Sequence, residues 1–342
     1  MSMEDLFNYE DSISSIEMIP SINVFGKYKL GEHVPEFTIA IPTFKRAKAL
    51  KESLNSALSQ INIDDYHIIV VDNNPERDDE TEQLLWQYSN HPKVTYYKNK
   101  ENLGQSGNWN KCAILSKSDY FLLLHDDDIL SPFALKSFKI ILSRIGDKWG
   151  LIKPNLTRFS QQSELIFNEP HNFNYVKLHN INYFCGDAIA APSCVLVNKK
   201  VFLSVGGVHS QYYPCLDFVM SFQLNRRFCN YKSDDCNLGG YRVGENESLS
   251  VKTMNEFFIN RTKIAYNIMS HYRIPKLLQK YLMAFSNRRT YDWVRNYYNM
   301  PEYYFDFRQM NLRVHDIRTN IVGYIYIIML RIINRLNRIH IE

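Results

Sequence analysis

Tyr120-Phe-Leu-Leu-Leu-His-Asp-Asp-Asp-Ile-Leu-Ser-Pro132 decides how the rest of this chain is read. Its five aromatic or apolar residues, Tyr120 to Leu124, have the length and bulk of a buried strand, and they give way abruptly to polar groups. Asp126, Asp127 and Asp128 are adjacent like charges that repel one another unless they are solvated or share a cation. Hard carboxylate oxygens suit Mn2+ or Mg2+. Ser131-Pro132 reads as the cap and first position of a following helix. The carboxylates are thereby expected on a strand-to-helix loop at the carboxyl end of a strand, where open α/β sheets take their ligands. A solvated acidic turn capping that helix is the alternative for this stretch alone.

Outward from it, the preceding segments repeat one pattern. Phe37-Thr-Ile-Ala-Ile-Pro42 reads as a strand, followed by a helix from Ala47 to Gln60 with Leu50, Leu54, Ala57 and Leu58 on one side. His67 to Val71 is a second buried strand ending at Asp72-Asn73-Asn74, and Glu80 to Tyr88 suits a helix. Val94 to Lys98 is a third strand, and a helix over about 106 to 116 follows the polar loop at Asn102-Leu103-Gly104. Strands alternating with helices at this spacing predict βαβ units and a mainly parallel sheet. Three strand ends carry polar groups, at 42–46, 72–74 and 125–128, which is the arrangement of a nucleotide crevice. No phosphate-cradling glycine loop is present, so a metal on the carboxylates is the candidate for holding phosphates.

These residues resemble a known family. Thr38-Ile-Ala-Ile-Pro-Thr-Phe-Lys-Arg46, Val70-Val-Asp-Asn-Asn74, Asn102-Leu-Gly-Gln-Ser-Gly-Asn108 and Leu124-His-Asp-Asp-Asp-Ile-Leu-Ser-Pro132 occur in the order and spacing of glycosyltransferase family 2. The resemblance is clear from 37 to about 145 and weaker to about 250. It implies the GT-A fold, a nucleotide-sugar donor, a divalent metal, inversion at the anomeric carbon and a saccharide acceptor, as in bacterial enzymes that build O-antigen, capsule or other surface polysaccharides on lipid carriers. Carried over residue by residue, Pro42, Thr43 and Phe44 line the base pocket, and Asp72 accepts a hydrogen bond from the base or else caps its own turn. Arg46 faces the diphosphate, while Asn102, Gly104 and Asn108 shape the wall near the ribose. In the metal loop His125 replaces the usual first acid, leaving Asp127 as metal ligand, Asp128 in reserve and Asp126 against the ribose.

Further along, Gly150 to Leu156 reads as a strand, Gln161 to Phe167 as part of a hairpin, and Ala190 to Val197 as another strand. The segment from Phe202 through Gly206-Gly207 to Leu216-Asp217-Phe218 resembles the family's acceptor-side region, in which a Glu-Asp pair opens a helix. Leu216 stands in the Glu position, and Asp217 remains as the base that takes the acceptor's proton, or as a carboxylate favoured at a helix N-terminus. Tyr241 to Ser250 resembles the segment that closes over the donor phosphates, which offers Arg242 to phosphate or to a surface ion pair.

Length suggests about two domains. The composition divides into an arm over 1–35, a catalytic domain over 36–250 in halves meeting at 130/131, and a helical region over 251–342. A net charge of +4 is too small for this length to argue for nucleic acid. Cys112, Cys185, Cys194, Cys215, Cys229 and Cys236 form no Cys-x-x-Cys pair, which favours reduced thiols and a cytosolic setting, with a Cys185–Cys194 disulfide as the alternative. The acidic start, Met-Ser-Met-Glu-Asp, is unlike a signal peptide, and no run reaches the roughly 18 apolar residues of a span. Near the end, Ile321, Ile325, Ile328, Ile332, Leu336 and Ile339 share one helix face, with Arg331, Arg335 and Arg338 on another. Such a helix lies peripherally on an anionic membrane, at its inner face for a cytoplasmic enzyme, or docks on the catalytic domain.

The expected activity is metal-dependent sugar transfer, most simply from a UDP-sugar. A sugar-1-phosphate nucleotidyltransferase is the enzymatic rival, although its glycine-rich loop is replaced here by Pro42-Thr-Phe-Lys-Arg46. A catalytically inactive sugar-binding protein is the rival from another class, suggested by Leu216.

Overall fold

The apolar runs of the first half become the middle of one sheet because each is buried on both faces. In the computed structural model, which describes residues 6–26, 33–243, 250–297 and 301–341, the first strands are Ser21–Phe25 (β1), Phe37–Thr43 (β2), Tyr66–Asp72 (β3), Val94–Asn99 (β4) and Tyr120–Leu123 (β5). β2 is buried at all seven positions and pairs in parallel with β3 and β5, while β3 pairs in parallel with β4. The remaining strands are Ile129–Leu130 (β6), Trp149–Phe159 (β7), Phe173–Lys177 (β8), Val195–Asn198 (β9), Cys229–Arg242 (β10) and Arg338–Ile341 (β11). They extend the sheet in the order β1-β4-β3-β2-β5-β9-β7-β10-β8-β11, with β6 paired to β10. β9 runs antiparallel to both neighbours, so its start lies at the same edge as the ends of β2 and β5.

The helices are Ile13–Glu17 (α1), Ala47–Leu58 (α2), Glu80–Leu85 (α3), Gly104–Leu115 (α4), Ala134–Ile145 (α5), Lys199–Ser204 (α6), Leu216–Arg227 (α7), Val251–His271 (α8), Lys276–Tyr297 (α9) and Ile317–Leu336 (α10). Leu50, Leu54 and Ala57 of α2 and Leu135, Phe138 and Ile141 of α5 pack on one face of the sheet. Trp109 and Cys112 of α4 and Phe218 and Phe222 of α7 pack on the other, where Phe258 and Ile264 of α8 join the same core. Each fully buried Leu, Ile or Phe among them contributes about 1.5–3 kcal/mol by leaving water. The expected α/β architecture with a helical C-terminal region is therefore observed.

Several local expectations change. Ser131 and Pro132 do not open the helix: Ile129 and Leu130 pair with Gly240 and Gly239, which keeps the chain extended until α5 begins at Ala134. Gln161 to Phe167 holds a short 3-10 turn at Gln162–Glu164 rather than a hairpin strand, because β7 is already paired on both sides, by β9 and β10. The strand expected from Ala190 starts only at Val195, since Ala190 and Cys194 take φ values of 57° and 55°. All six cysteines are free. The sheet also crosses the boundaries expected at 35/36 and 250/251: β1 pairs with β4, and β11 pairs with β8. Finally, α10 has 20 residues and a mean hydropathy of 1.2, long and apolar enough by length and composition to cross a membrane, where no such run was expected.

Candidate active site

The acidic loop hangs from the end of β5 and is held from three sides. Thr43, at the end of β2, donates its hydroxyl to Asp126 Oδ2 at 2.7 Å. Arg46 Nη1 lies 2.7 Å from Asp127 Oδ2 and 3.7 Å from Asp126 Oδ1. From β10, the Arg242 backbone N–H donates to Asp128 Oδ1 at 2.8 Å, and its Nε donates to the Asp127 carbonyl at 2.8 Å. The Arg242 guanidinium also pairs with Glu52 and lies over the Phe159 ring. Arg242 thus braces the loop and forms the ion pair that is one of the two roles expected of it. The Gly244 to Leu249 part of the expected closing segment lies outside the described residues.

His125, Asp127 and Asp128 bring one ligand atom each within 4.8 Å of one another. Burial pushes the His125 imidazole down to about 4, so it is neutral near pH 7, the form that ligates metals. Its Nε2 is buried with no hydrogen-bond partner, and Asp128 Oδ2 is likewise buried without one, with Ser193 and His125 beside it. Burial first and Asp127 second push the Asp126 and Asp128 carboxyls up to about 7. Two orphaned ligand atoms and mutually repelling carboxylates fit a divalent cation, which would relieve both costs at once. His125 belongs to this donor set more fully than its sequence position suggested.

On the nucleotide side, Asp72 is completely buried. Its Oδ2 accepts from Tyr96 Oη and from Lys98 Nζ, both at 2.8 Å, and its Oδ1 accepts from Asn74 N at 2.9 Å. Burial outweighs these partners and raises its pKa. In this structure its two oxygens serve the alternative expected of it, holding the strand-end turn. Around that turn, Asn73 Nδ2 donates to Asn102 Oδ1 at 2.7 Å, and Asn99 Nδ2 donates to Asn73 Oδ1 and to Asn108 Oδ1. Asn108 Nδ2 returns to the Val71 carbonyl at 3.0 Å. Asn102 remains exposed, whereas Asn108 is buried inside the wall and shapes it from behind. Gly104 has φ +67° with open space where a Cβ would stand, so the backbone conformation is what demands glycine. Pro42 and Thr43 are buried, and Phe44 presents a partly exposed ring at the rim.

Asp217 lies in the first turn of α7. It sits at a helix N-terminus, and its Oδ1 accepts from Phe218 N at 2.8 Å. It also has a neighbour that the sequence did not single out, Asp187. Asp187 Oδ1 accepts from Ser221 Oγ at 2.9 Å and from Ile189 N at 3.1 Å, while its Oδ2 is buried without a partner. Burial and then the Asp187 charge hold the Asp217 carboxyl well above the usual carboxylate range; burial raises Asp187 as well. Lys153, whose buried Nζ donates to the Ser193 carbonyl at 3.0 Å, is within electrostatic reach of both Asp128 and Asp187. The metal-type cluster and the Asp187–Asp217 pair therefore share one edge of the sheet. A half-buried carboxylate with raised proton affinity there can accept a proton from a hydroxyl.

Comparison with known proteins agrees with this arrangement. Residues 38–205 match the model of glycosyl transferase family 2. An uncharacterized glycosyltransferase of Rickettsia felis is 28% identical over 58% of this chain, and one of Methanocaldococcus jannaschii is 32% identical over 31% of it. The chain spans 32% and 37% of the length of those two relatives. Among solved structures, S. aureus TarS (residues 1–349) in complex with UDP-GlcNAc superposes with a TM-score of 0.56 at 14% identity, over 76% of this chain and 74% of that one. The mannosyltransferase PcManGT of Pyrobaculum calidifontis, in complex with GDP-Man and Mn2+, gives a TM-score of 0.51 at 12% identity, over 94% and 92% of the two chains. At such identities these likenesses show the fold, which is that of GT-A glycosyltransferases. Residues 38–205 of this chain are therefore a glycosyltransferase family 2 domain.

Proposed function

We propose that this chain transfers a sugar from a nucleotide-sugar donor, most simply a UDP-sugar, to a saccharide acceptor, with inversion at the anomeric carbon. The observation that carries the reading is the His125, Asp127 and Asp128 cluster, half-buried at its first two members, with two buried side-chain atoms left unsatisfied, on the sheet edge that also holds Asp217. The GT-A neighbours are seen with UDP-GlcNAc and with GDP-Man and Mn2+, which supports a donor and a cation of these classes.

His125, Asp127 and Asp128 would hold the cation, and when bound, Mn2+ or Mg2+ supplies positive charge to the departing diphosphate. Arg46 brings a guanidinium to the same edge. Pro42, Thr43 and Phe44 form the rim for the base, with Asn102 beside it and Asp126 directed to the ribose. Asp217 takes the proton of the acceptor hydroxyl, and the freed oxygen attacks the anomeric carbon opposite the leaving group. The bond from that carbon to the diphosphate oxygen breaks, and the nucleoside diphosphate leaves with the electron pair. The acceptor is a saccharide carried on a lipid, as in the building of a surface polysaccharide.

Asp127→Ala tests the reading. The variant should keep the fold but lose Mn2+-dependent thermal stabilisation by nucleotide sugars and lose nucleoside diphosphate release. Wild-type turnover by the variant in the presence of chelator would overturn it.

A further inference from the structure

The strongest feature outside the site is the outer face of α10. Ile317, Ile321, Tyr324, Ile325, Ile328, Met329, Ile332 and Leu336 are between 45 and 80% exposed. At about 100° per residue, Ile321, Ile325, Ile328 and Ile332 fall within an arc of roughly 60°. Arg331 and Arg335 border one side of that arc and Arg318 the other, so these arginines edge the apolar stripe rather than occupy a separate face. All three are exposed, and the helix contains no Asp or Glu.

The inner face is fixed. A Cβ on Gly323 would overlap the Phe285 ring of α9, which shows how closely the two helices approach. Tyr326 Oη donates to the Ile181 carbonyl at 2.6 Å, and Asn182 Nδ2 donates to Asn334 Oδ1 at 3.0 Å. A helix held this way presents one face to its surroundings and cannot turn that face inward.

We propose that the outer face of α10 is a docking surface for an anionic lipid bilayer, with the helix lying in the plane of the interface. The isoleucines enter the acyl boundary and the bordering arginines meet anionic headgroups, the arrangement of interfacial amphipathic helices. Charge selects this occupant: an apolar stripe edged only by cations is complementary to anionic lipid. Its bonds to Ile181 and Asn182 tie the helix to the body that carries the sheet, which argues for lying along a membrane rather than crossing it. This deepens the lipid-carried acceptor reading above, because it places the enzyme where such an acceptor resides, yet it is measured without donor or acceptor.

The test is flotation of the full chain with phosphatidylglycerol-containing vesicles and with phosphatidylcholine vesicles. Wild type should float with the anionic vesicles and be released by high salt. The Arg331→Gln, Arg335→Gln double variant should bind about 25-fold more weakly, at roughly fivefold per basic residue. Ile321→Gln, Ile325→Gln, Ile328→Gln and Ile332→Gln together should abolish flotation while melting temperature and turnover on a soluble acceptor stay unchanged. Flotation of the isoleucine variant at the wild-type level would overturn the proposal. So would a wild-type dimer in solution that this variant renders monomeric, which would assign the face to a second copy. Resistance of the membrane-bound protein to both high salt and alkaline extraction would instead establish a span and overturn it. A chain that floats but transfers no sugar would leave this inference standing and refute the activity.

Discussion

Lys98→Met separates a structural brace from a base contact. Lys98 is 1% exposed in its side chain, and its Nζ lies 2.8 Å from Asp72, 3.1 Å from Asp79 and 3.9 Å from Glu82. Methionine fills similar space but removes the cation. Asp79 is partly exposed and can hydrate, and Glu82 keeps Arg77, whose Nη2 is 2.6 Å away. Asp72 has no such recourse and retains only Tyr96 and Asn74. The loss therefore concentrates on one buried carboxylate, and removing one partner of a buried pair costs about 3–5 kcal/mol. Urea unfolding near neutral pH should show that deficit, and it should shrink at about pH 5. The sign follows from Asp72: its folded pKa is already raised by burial, and losing the cation raises it further. The folded variant then takes up a proton that the unfolded chain releases, so acidification favours the folded state. A deficit below about 1 kcal/mol, or one independent of pH, would refute the argument. Asp72→Asn with unchanged stability and selectively weakened donor binding would favour the base contact over the brace.

Asp217→Asn should slow single-turnover transfer by roughly 10²- to 10⁴-fold with donor affinity unchanged; normal chemistry would exclude Asp217 as the base. Asp187→Asn removes a like charge from beside Asp217, so the rise of the rate with pH should move to lower pH. A profile that stays in place would show that the two carboxyls do not communicate. Asp128→Asn should reduce the Mn2+-induced rise in melting temperature, and an undiminished rise would place the cation elsewhere.

The parallel half of the fold was legible because strands buried on both faces leave unbroken apolar runs, as at Phe37–Thr43 and Tyr66–Asp72. β1 and β11 were not, since edge strands of four or five residues with mixed burial carry no pattern that marks them. The acidic loop announced itself by charge, but the part of His125 did not, because a histidine at a strand end is usually bonded locally, whereas here Nε2 is left unpartnered. Lys98 had a signal: a lysine inside a buried run requires a buried anion, and Asp72 was the available one. Asp187 had almost none beyond a lone carboxylate after Gly186, and it acquires meaning only when α7 brings Asp217 beside it.

The pairing of β11 with β8 has a consequence for how the chain is made. Phe173 to Lys177 is ready to pair on its outer side as soon as it is synthesised, but its partner there, Arg338 to Ile341, lies roughly 160 residues later. At about 5–20 residues per second, that edge waits on the order of 8 to 30 s on the ribosome with its backbone groups open. During this interval another nascent chain could pair with the same edge. Slowing translation between these two segments should therefore increase aggregation during synthesis, even though the finished protein and its stability would be identical.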